Sequence, residues 1–304
     1  MLKVSDIRGF LIGLLIVAAV GAVVVWRVLP GRSAQTPPLA AATPARDTPR
    51  GPPPAGCDAP QWRAAASANQ ASLYALAWSP FGPAEAGWAT YAPLISREIG
   101  SPCPADSPGF AARYARWQAG AKLPVDGIFK ATDFDRIRDA LALRRPFVQQ
   151  TSKGLCPAAP NEATLASARA DESYGGKAIK LRPGALEAYR RMVAAARADG
   201  VATRPSSFQI ASGYRGPAEE AARCAGGGCN TLTRAHCSAH RTGLAVDLYL
   251  PPAPGADPIS TDDANRRHLA GTVEYRWLLA NAARFGFLPY AYEPWHWEWT
   301  GEAP

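Results

Sequence analysis

The apolar and polar positions of this chain follow several different patterns. Residues 9–26 (GFLIGLLIVAAVGAVVVW) contain no charged side chain, and an apolar run of this length is about the minimum for a membrane-spanning helix. Between 107 and 141 the period is helical. Phe110, Tyr114 and Trp117 fall at i, i+4 and i+7 on one face. The stretch LPVDGIF (123–129) reads as a turn through Pro124 and Asp126-Gly127. Thr132 is placed to cap a second helix, with Phe134, Ile137 and Leu141 inward. A further helix is expected over 181–200, with Leu186, Tyr189 and Val193 inward and Gly200 at its end. FQIASGYR (208–215) and LAVDLYL (244–250) read as strands. The segment 272–286 reads as a helix begun by Thr272 and stopped by Gly286, and FLPYAY and WHWEW as two closing strands. The order is α+β: a small antiparallel sheet with flanking helices, preceded by a small helical domain.

Composition divides the chain further. Residues 30–56 include eight prolines in 27 positions, so they cannot build a core and are expected to form an extended tether. The expected organisation is a flank at 1–8, a transmembrane anchor or signal segment at 9–29, the Pro/Ala-rich linker at 30–56, a helical domain at 57–150, a linker at 151–180 and the main domain at 181–304. A cleaved signal competes with the anchor because Lys3 and Arg8 precede the apolar run, but no small-x-small site follows it. The anchor is therefore preferred. Arg27 and Arg32 balance Lys3 and Arg8, so flanking charge does not set orientation.

All six cysteines (Cys57, Cys103, Cys156, Cys224, Cys229 and Cys237) follow the apolar segment, and none forms a CxxC pair. An even set beyond an export signal points to disulfides in an oxidising compartment, with Cys57–Cys103 expected as a local staple. The resulting expectation is a single-pass protein of the cell inner membrane with its folded part in the periplasm or otherwise outside the cytoplasm; secretion is the alternative. The net charge is +8. No basic run accounts for it, so a nucleic-acid partner is excluded and anionic polymers or acidic peptides are favoured.

Four histidines are present: His236, His240, His268 and His296. His268, in NRRHLA, reads as a solvated surface residue. Strand alternation in LAVDLYL puts Val246, Leu248 and Leu250 on one face and Asp247 and Tyr249 on the other. A carboxylate in so apolar a strand needs an ion partner or a metal. Gly243 permits a sharp turn that brings His240 back beside Asp247. In WHWEW the same alternation sends Trp295, Trp297 and Trp299 to a core and His296 and Glu298 to a cleft. Pro294 keeps Glu293 out of the ladder, at the strand mouth. Two histidines, an aspartate and a free glutamate are the parts of a hydrolytic zinc site. A rival pairing is His236 with His240 at i, i+4, although it lacks the glutamate of an HExxH helix. Spacing alone also leaves open that these are unrelated polar residues of a folded core.

SAHRTGLAVDL (238–248) followed by EPWHWEW (293–299) resembles the S-x-H-x-x-G-x-A-x-D … E-x-W-H pattern of the LAS metallopeptidases, the lysostaphin, D-Ala-D-Ala peptidase and sonic-hedgehog group. SGYR (212–215) and YRWLLANAARFGF (275–287) are similar to the VanY-type D-alanyl-D-alanine carboxypeptidases within it. The resemblance covers roughly 180–300. It implies a LAS/hedgehog-like fold holding Zn2+ through His240, Asp247 and His296, with Glu293 as general base and acid. It also implies Arg215 at the substrate or the developing oxyanion and Ser238 lining the site. The implied activity is hydrolysis of peptidoglycan stem peptides as a D-alanyl-D-alanine carboxypeptidase. The alternatives are an endopeptidase of the same fold and a non-catalytic cell-wall-binding protein, since some members of the wider group only bind. Glu219-Glu220, where many relatives have glutamine, and the cysteine-bracketed loop 224–237 depart from the pattern. The segment 107–141 resembles the repeat of peptidoglycan-binding domains; a plain helical spacer is the competing reading.

Overall fold

The computed structural model describes residues 56–304 except 231. The expected anchor and most of the expected linker lie outside these residues. Among the described residues no helix is long and apolar enough to cross a membrane.

In chain order the helices and strands are α1 (Arg63–Ser72), β1 (Ala77–Trp78), β2 (Glu85–Ala86), α2 (Ala92–Glu98), α3 (Pro108–Gly120), α4 (Ala131–Leu143) and α5 (Pro146–Thr151). There follow β3 (Ala166–Ser167), β4 (Lys180–Leu181), α6 (Pro183–Ala198), β5 (Ile210–Ser212), α7 (Pro217–Cys224), β6 (Ala245–Leu248), α8 (Asp263–Gly271), α9 (Val273–Asn281), β7 (Phe287–Pro289) and β8 (His296–Trp299). The mixed architecture agrees with the α+β expectation. Two antiparallel pairs, β1–β2 and β3–β4, accompany a four-stranded antiparallel sheet of order β5-β6-β8-β7.

Local chemistry starts and stops these elements where the sequence marks them. Ser107 caps α3 by accepting from Phe110 N at 3.2 Å, and Pro108 supplies a preset first turn. Thr272 caps α9 the same way through Tyr275 N. Gly200, at φ +72°, follows the end of α6 in the left-handed conformation that glycine adopts freely. Thr132 is not a cap: α4 begins at Ala131 with Lys130 as its N-cap, so Thr132 lies inside the first turn. Phe134, Ile137 and Leu141 are buried as the helical period requires. The turn at 126–127 is held from below. Gln118 Oε1 accepts from Asp126 N at 3.1 Å and Gly127 N at 2.8 Å, and Asn69 Nδ2 donates to Gly127 O at 3.0 Å.

The apolar residues of the helical region and of the sheet region belong to one core. Trp88, Phe110, Tyr114, Phe129 and Phe134 form its first part, with Trp88 and Phe129 stacked at 4.4 Å. Leu186, Met192, Phe208, Val246, Leu248, Leu278 and Trp297 form its second. Buried polar ties cross between them. Arg266, fully buried on α8, pairs with Glu85 of β2 at 3.2 Å. Its Nε donates to Tyr292 O at 2.9 Å and its guanidinium lies 3.9 Å from the centre of the Tyr292 ring. The Tyr91 hydroxyl donates to Glu85 at 2.8 Å. Cys57–Cys103 closes the start of the helical region as expected, and Cys156–Cys237 and Cys224–Cys229 complete three disulfides.

Removing one partner from a buried ion pair leaves an uncompensated charge. Glu85→Gln is therefore expected to destabilise the protein by about 3 kcal/mol, near the low end of such losses because Asp263 still pairs with Arg266 at 3.1 Å. Urea titration followed by tryptophan fluorescence measures this. One shared core predicts a single transition; two separate transitions would show that the regions unfold independently.

Candidate metal and catalytic site

The register of the central sheet brings the candidate ligands together. Asp247 of β6 stands opposite His296 of β8, and Ser212 of β5 stands opposite Asp247 on its other side. Side chains directly opposite on paired strands share a face. His240 arrives from a 3-10 turn, Ala239–Thr242, that ends in Gly243 at φ +71°. Ser238 caps that turn, its hydroxyl accepting from His240 N at 3.3 Å. The expected sharp bend at Gly243 is what folds His240 back over the strand.

His240 Nε2 lies 3.3 Å from Asp247 Oδ2, and His296 Nδ1 lies 3.0 Å from Asp247 Oδ1. The two imidazoles meet edge to face at 4.9 Å. All three side chains are buried. The remaining ring nitrogens are occupied. His240 Nδ1 meets Gly213 O at 2.7 Å, and His296 Nε2 meets Glu298 Oε1 at 3.2 Å. A ring nitrogen held by a carbonyl or carboxylate leaves its opposite nitrogen as the lone-pair donor. The inward atoms are then His240 Nε2, Asp247 Oδ and His296 Nδ1, and one ligand atom from each residue lies within 4.8 Å of the others. That donor set and its outer supports fit a metal ion.

Glu293 is placed by a turn, His296 N donating to Glu293 O at 3.0 Å. Its carboxylate stands 3.9 Å from His296 Nδ1, beside the trio. Arg215 is buried, its Nη2 donating to Ser212 Oγ at 3.2 Å and its Nη1 to Ser238 Oγ at 3.5 Å. Arg215, Ser238, Glu293 and the trio line one cleft of about 860 Å³. All the residues selected from the sequence therefore converge. His236 does not: it is exposed and lies against Cys224 and Cys229, whose thiols are joined in a disulfide. His268 is exposed, as expected.

Other residues shape the site without having been selected from sequence. Glu220, the departure from glutamine, is buried on α7 and accepts from Ser238 N at 3.0 Å, while Arg241 Nε stands 3.4 Å from its other oxygen. It holds the turn that carries His240. Gly213 acts through its carbonyl, which no side-chain pattern marks. Arg145, from the helical region, also lines the cleft and pairs with Glu298. Pro146 after it marks its backbone but not its partner, which lies 153 residues away.

The electrostatics follow from burial and proximity. Burial, reinforced by Asp247, pushes Glu293 up to about 7. Asp247 is penalised by burial but held well below the usual carboxylate range by His240 and His296. For His296, burial favours the neutral ring, yet Asp247 and Glu298 outweigh it and raise the metal-free ring to about 9. A raised histidine contributes stability that is complete below its unfolded value of about 6.5 and lost as pH rises through about 9. Metal binding must then displace a proton from His296 at neutral pH. Titrating the metal-free protein with Zn2+ at pH 7.5 is expected to release about one proton from His296. Calorimetry in buffers of different ionisation enthalpy measures it. Affinity independent of pH between 7 and 9 would contradict the arrangement.

No curated protein matches the chain. Residues 229–302, a stretch that contains His240, Asp247, Glu293 and His296, match the family described as VanY, D-alanyl-D-alanine carboxypeptidase, and form a domain of that family.

Proposed function

We propose that this protein is a zinc peptidase that hydrolyses peptidoglycan stem peptides, foremost as a D-alanyl-D-alanine carboxypeptidase. The observation that carries the reading is the placement of an unligated carboxylate, Glu293, beside a buried His-Asp-His donor set. His240, Asp247 and His296 would hold a Zn2+ ion, which would supply the Lewis acidity that polarises a scissile carbonyl and acidifies water. The rest is the work of side chains. Glu293, with a pKa pushed up to about 7, takes a proton from the attacking water and returns it to the departing amine. Arg215 faces the same cleft and stabilises the oxyanion as it develops. Ser212 and Ser238 hold that guanidinium in place. Arg215, Arg223 and Arg234 on the cleft wall suit a substrate rich in free carboxylates.

The compartment belongs to the same proposal. Three disulfides and the apolar segment at 9–29 support a single-pass inner-membrane protein whose catalytic part lies outside the cytoplasm.

Purified muropeptides provide the direct test. Mass spectrometry is expected to show loss of a single alanine; larger released fragments indicate an endopeptidase, and no hydrolysis rejects the reading. Glu293→Gln keeps the side chain's size but removes the base. It is expected to retain about one Zn2+ per chain while turnover falls at least ~10²-fold. Removing His240, Asp247 or His296 should lower metal content and turnover together. Zn2+ lost in His236→Ala but kept in His296→Ala would overturn the ligand assignment.

A further inference from the structure

Arg145, which lines the cleft, is separated from Glu298 by 153 residues, yet the two are bonded in the interior behind it. Its backbone is fixed locally. Pro146 opens α5 and restricts the residue before it to an extended conformation, and Arg145 has φ −83° and ψ 117°. Its own N–H donates to Ala142 O at 3.0 Å. From that anchor the buried guanidinium donates through Nη2 to Glu298 Oε1. The same oxygen lies 3.2 Å from His296 Nε2. The guanidinium also lies 4.6 Å from the centre of the Tyr290 ring, and Tyr290 meets the His296 ring edge-on at 5.8 Å. Arg145 therefore reaches His296 by two routes, one polar and one aromatic.

We infer that Arg145 is a positioning residue of the metal centre, by which the helical region sets the orientation of His296. A buried carboxylate with no cation beside it has little reason to stay turned toward one ring nitrogen. Arg145 holds Glu298 Oε1 at His296 Nε2, and this leaves Nδ1 toward Asp247 and the metal. Tyr290, in contact with both guanidinium and imidazole, limits rotation of the ring. The helical region lies outside residues 229–302, so the matched stretch does not contain the whole support of its own ligand. The inference rests on the metal-centre part of the proposed function and is independent of which peptide is cleaved.

The test is Zn2+ affinity of the full chain, measured by competition with a chromophoric chelator on protein shown to be folded by circular dichroism. Arg145→Met is expected to weaken Zn2+ binding about 10–100-fold, the usual scale for losing an outer partner of a metal ligand. Arg145→Lys should fall between it and the parent, because an ammonium pairs with Glu298 but cannot reproduce the guanidinium's contact over the Tyr290 ring. Glu85→Gln is the control. It breaks a different tie between the same regions, so it should lower the melting temperature and leave Zn2+ affinity within about twofold, far short of an outer-partner loss. The inference is overturned if Arg145→Met binds Zn2+ like the parent, or if Glu85→Gln weakens binding as much. If Arg145→Met does not fold, Arg145→Lys decides: at least about threefold weakening supports the role and unchanged affinity rejects it. Zn2+ binding weakened in Arg145→Met, alongside a parent protein that cleaves no muropeptide, would leave this inference standing and remove the peptidase reading; unchanged binding in Arg145→Met alongside an active parent would do the opposite.

Discussion

A carboxylate buried between two imidazoles has to be compensated, and the sheet region is arranged around that demand. Asp247 sits mid-strand, where an unpaired charge would cost several kcal/mol. The β6–β8 register meets the demand by setting His296 directly opposite, and the turn ending at Gly243 meets it by returning His240 to the same carboxylate. The two histidines are then held from outside, one by Gly213 O and the other by Glu298. From His296 the chain of contacts runs on through Glu298 Oε1 to Arg145. A slip of one residue between β6 and β8 would send Asp247 and His296 to opposite faces and leave the carboxylate stranded. The need to pair one buried charge thus helps select the register.

The same logic joins the helical and sheet regions. Arg145–Glu298 and Arg266–Glu85 both bury a cation from one region against a carboxylate from the other. Their contribution to net stability is modest at best, since desolvation offsets most of the attraction. They are better understood as constraints on how the regions seat. The aromatic contacts between them add area without direction: Phe81 lies 6.2 Å from Tyr290 and 5.2 Å from Tyr292. Tyr290 lines the cleft together with Glu293, so the seating of the helical region bears on the cleft.

The segment before the sheet is tied to the site covalently. Cys156–Cys237 joins it to the residue preceding Ser238, at the foot of the turn that presents His240. Glu220 secures the same turn from α7. Two separate elements therefore brace a four-residue turn from outside. A short turn carrying a ligand needs such outside support, because its local contacts cannot offset the entropy of ordering it.

Periodicity and caps made much of this protein legible before any fold was known. The helices over 107–141 and 181–200, the strands around Asp247 and His296, and the role of Gly243 all follow from interactions within about seven residues. The alternation in WHWEW put His296 on the cleft for the same reason, whereas Glu298, expected there too, lies buried between His296 and Arg145. Motif resemblance then supplied the expectation that His240, Asp247, Glu293 and His296 act together. The partners of those residues were out of reach. Pro146 marks only the backbone of Arg145 and not its partner, nothing in IASGYR marks Gly213 by its carbonyl, and Glu220 read only as a departure from the family pattern rather than as a support for Ser238. Each acts across a long gap in the chain, where sequence spacing carries no distance. Local patterns determined which face each ligand would present; only packing of distant segments decided what would hold those ligands still, because a buried polar group takes its partner from whatever the fold brings within hydrogen-bond reach.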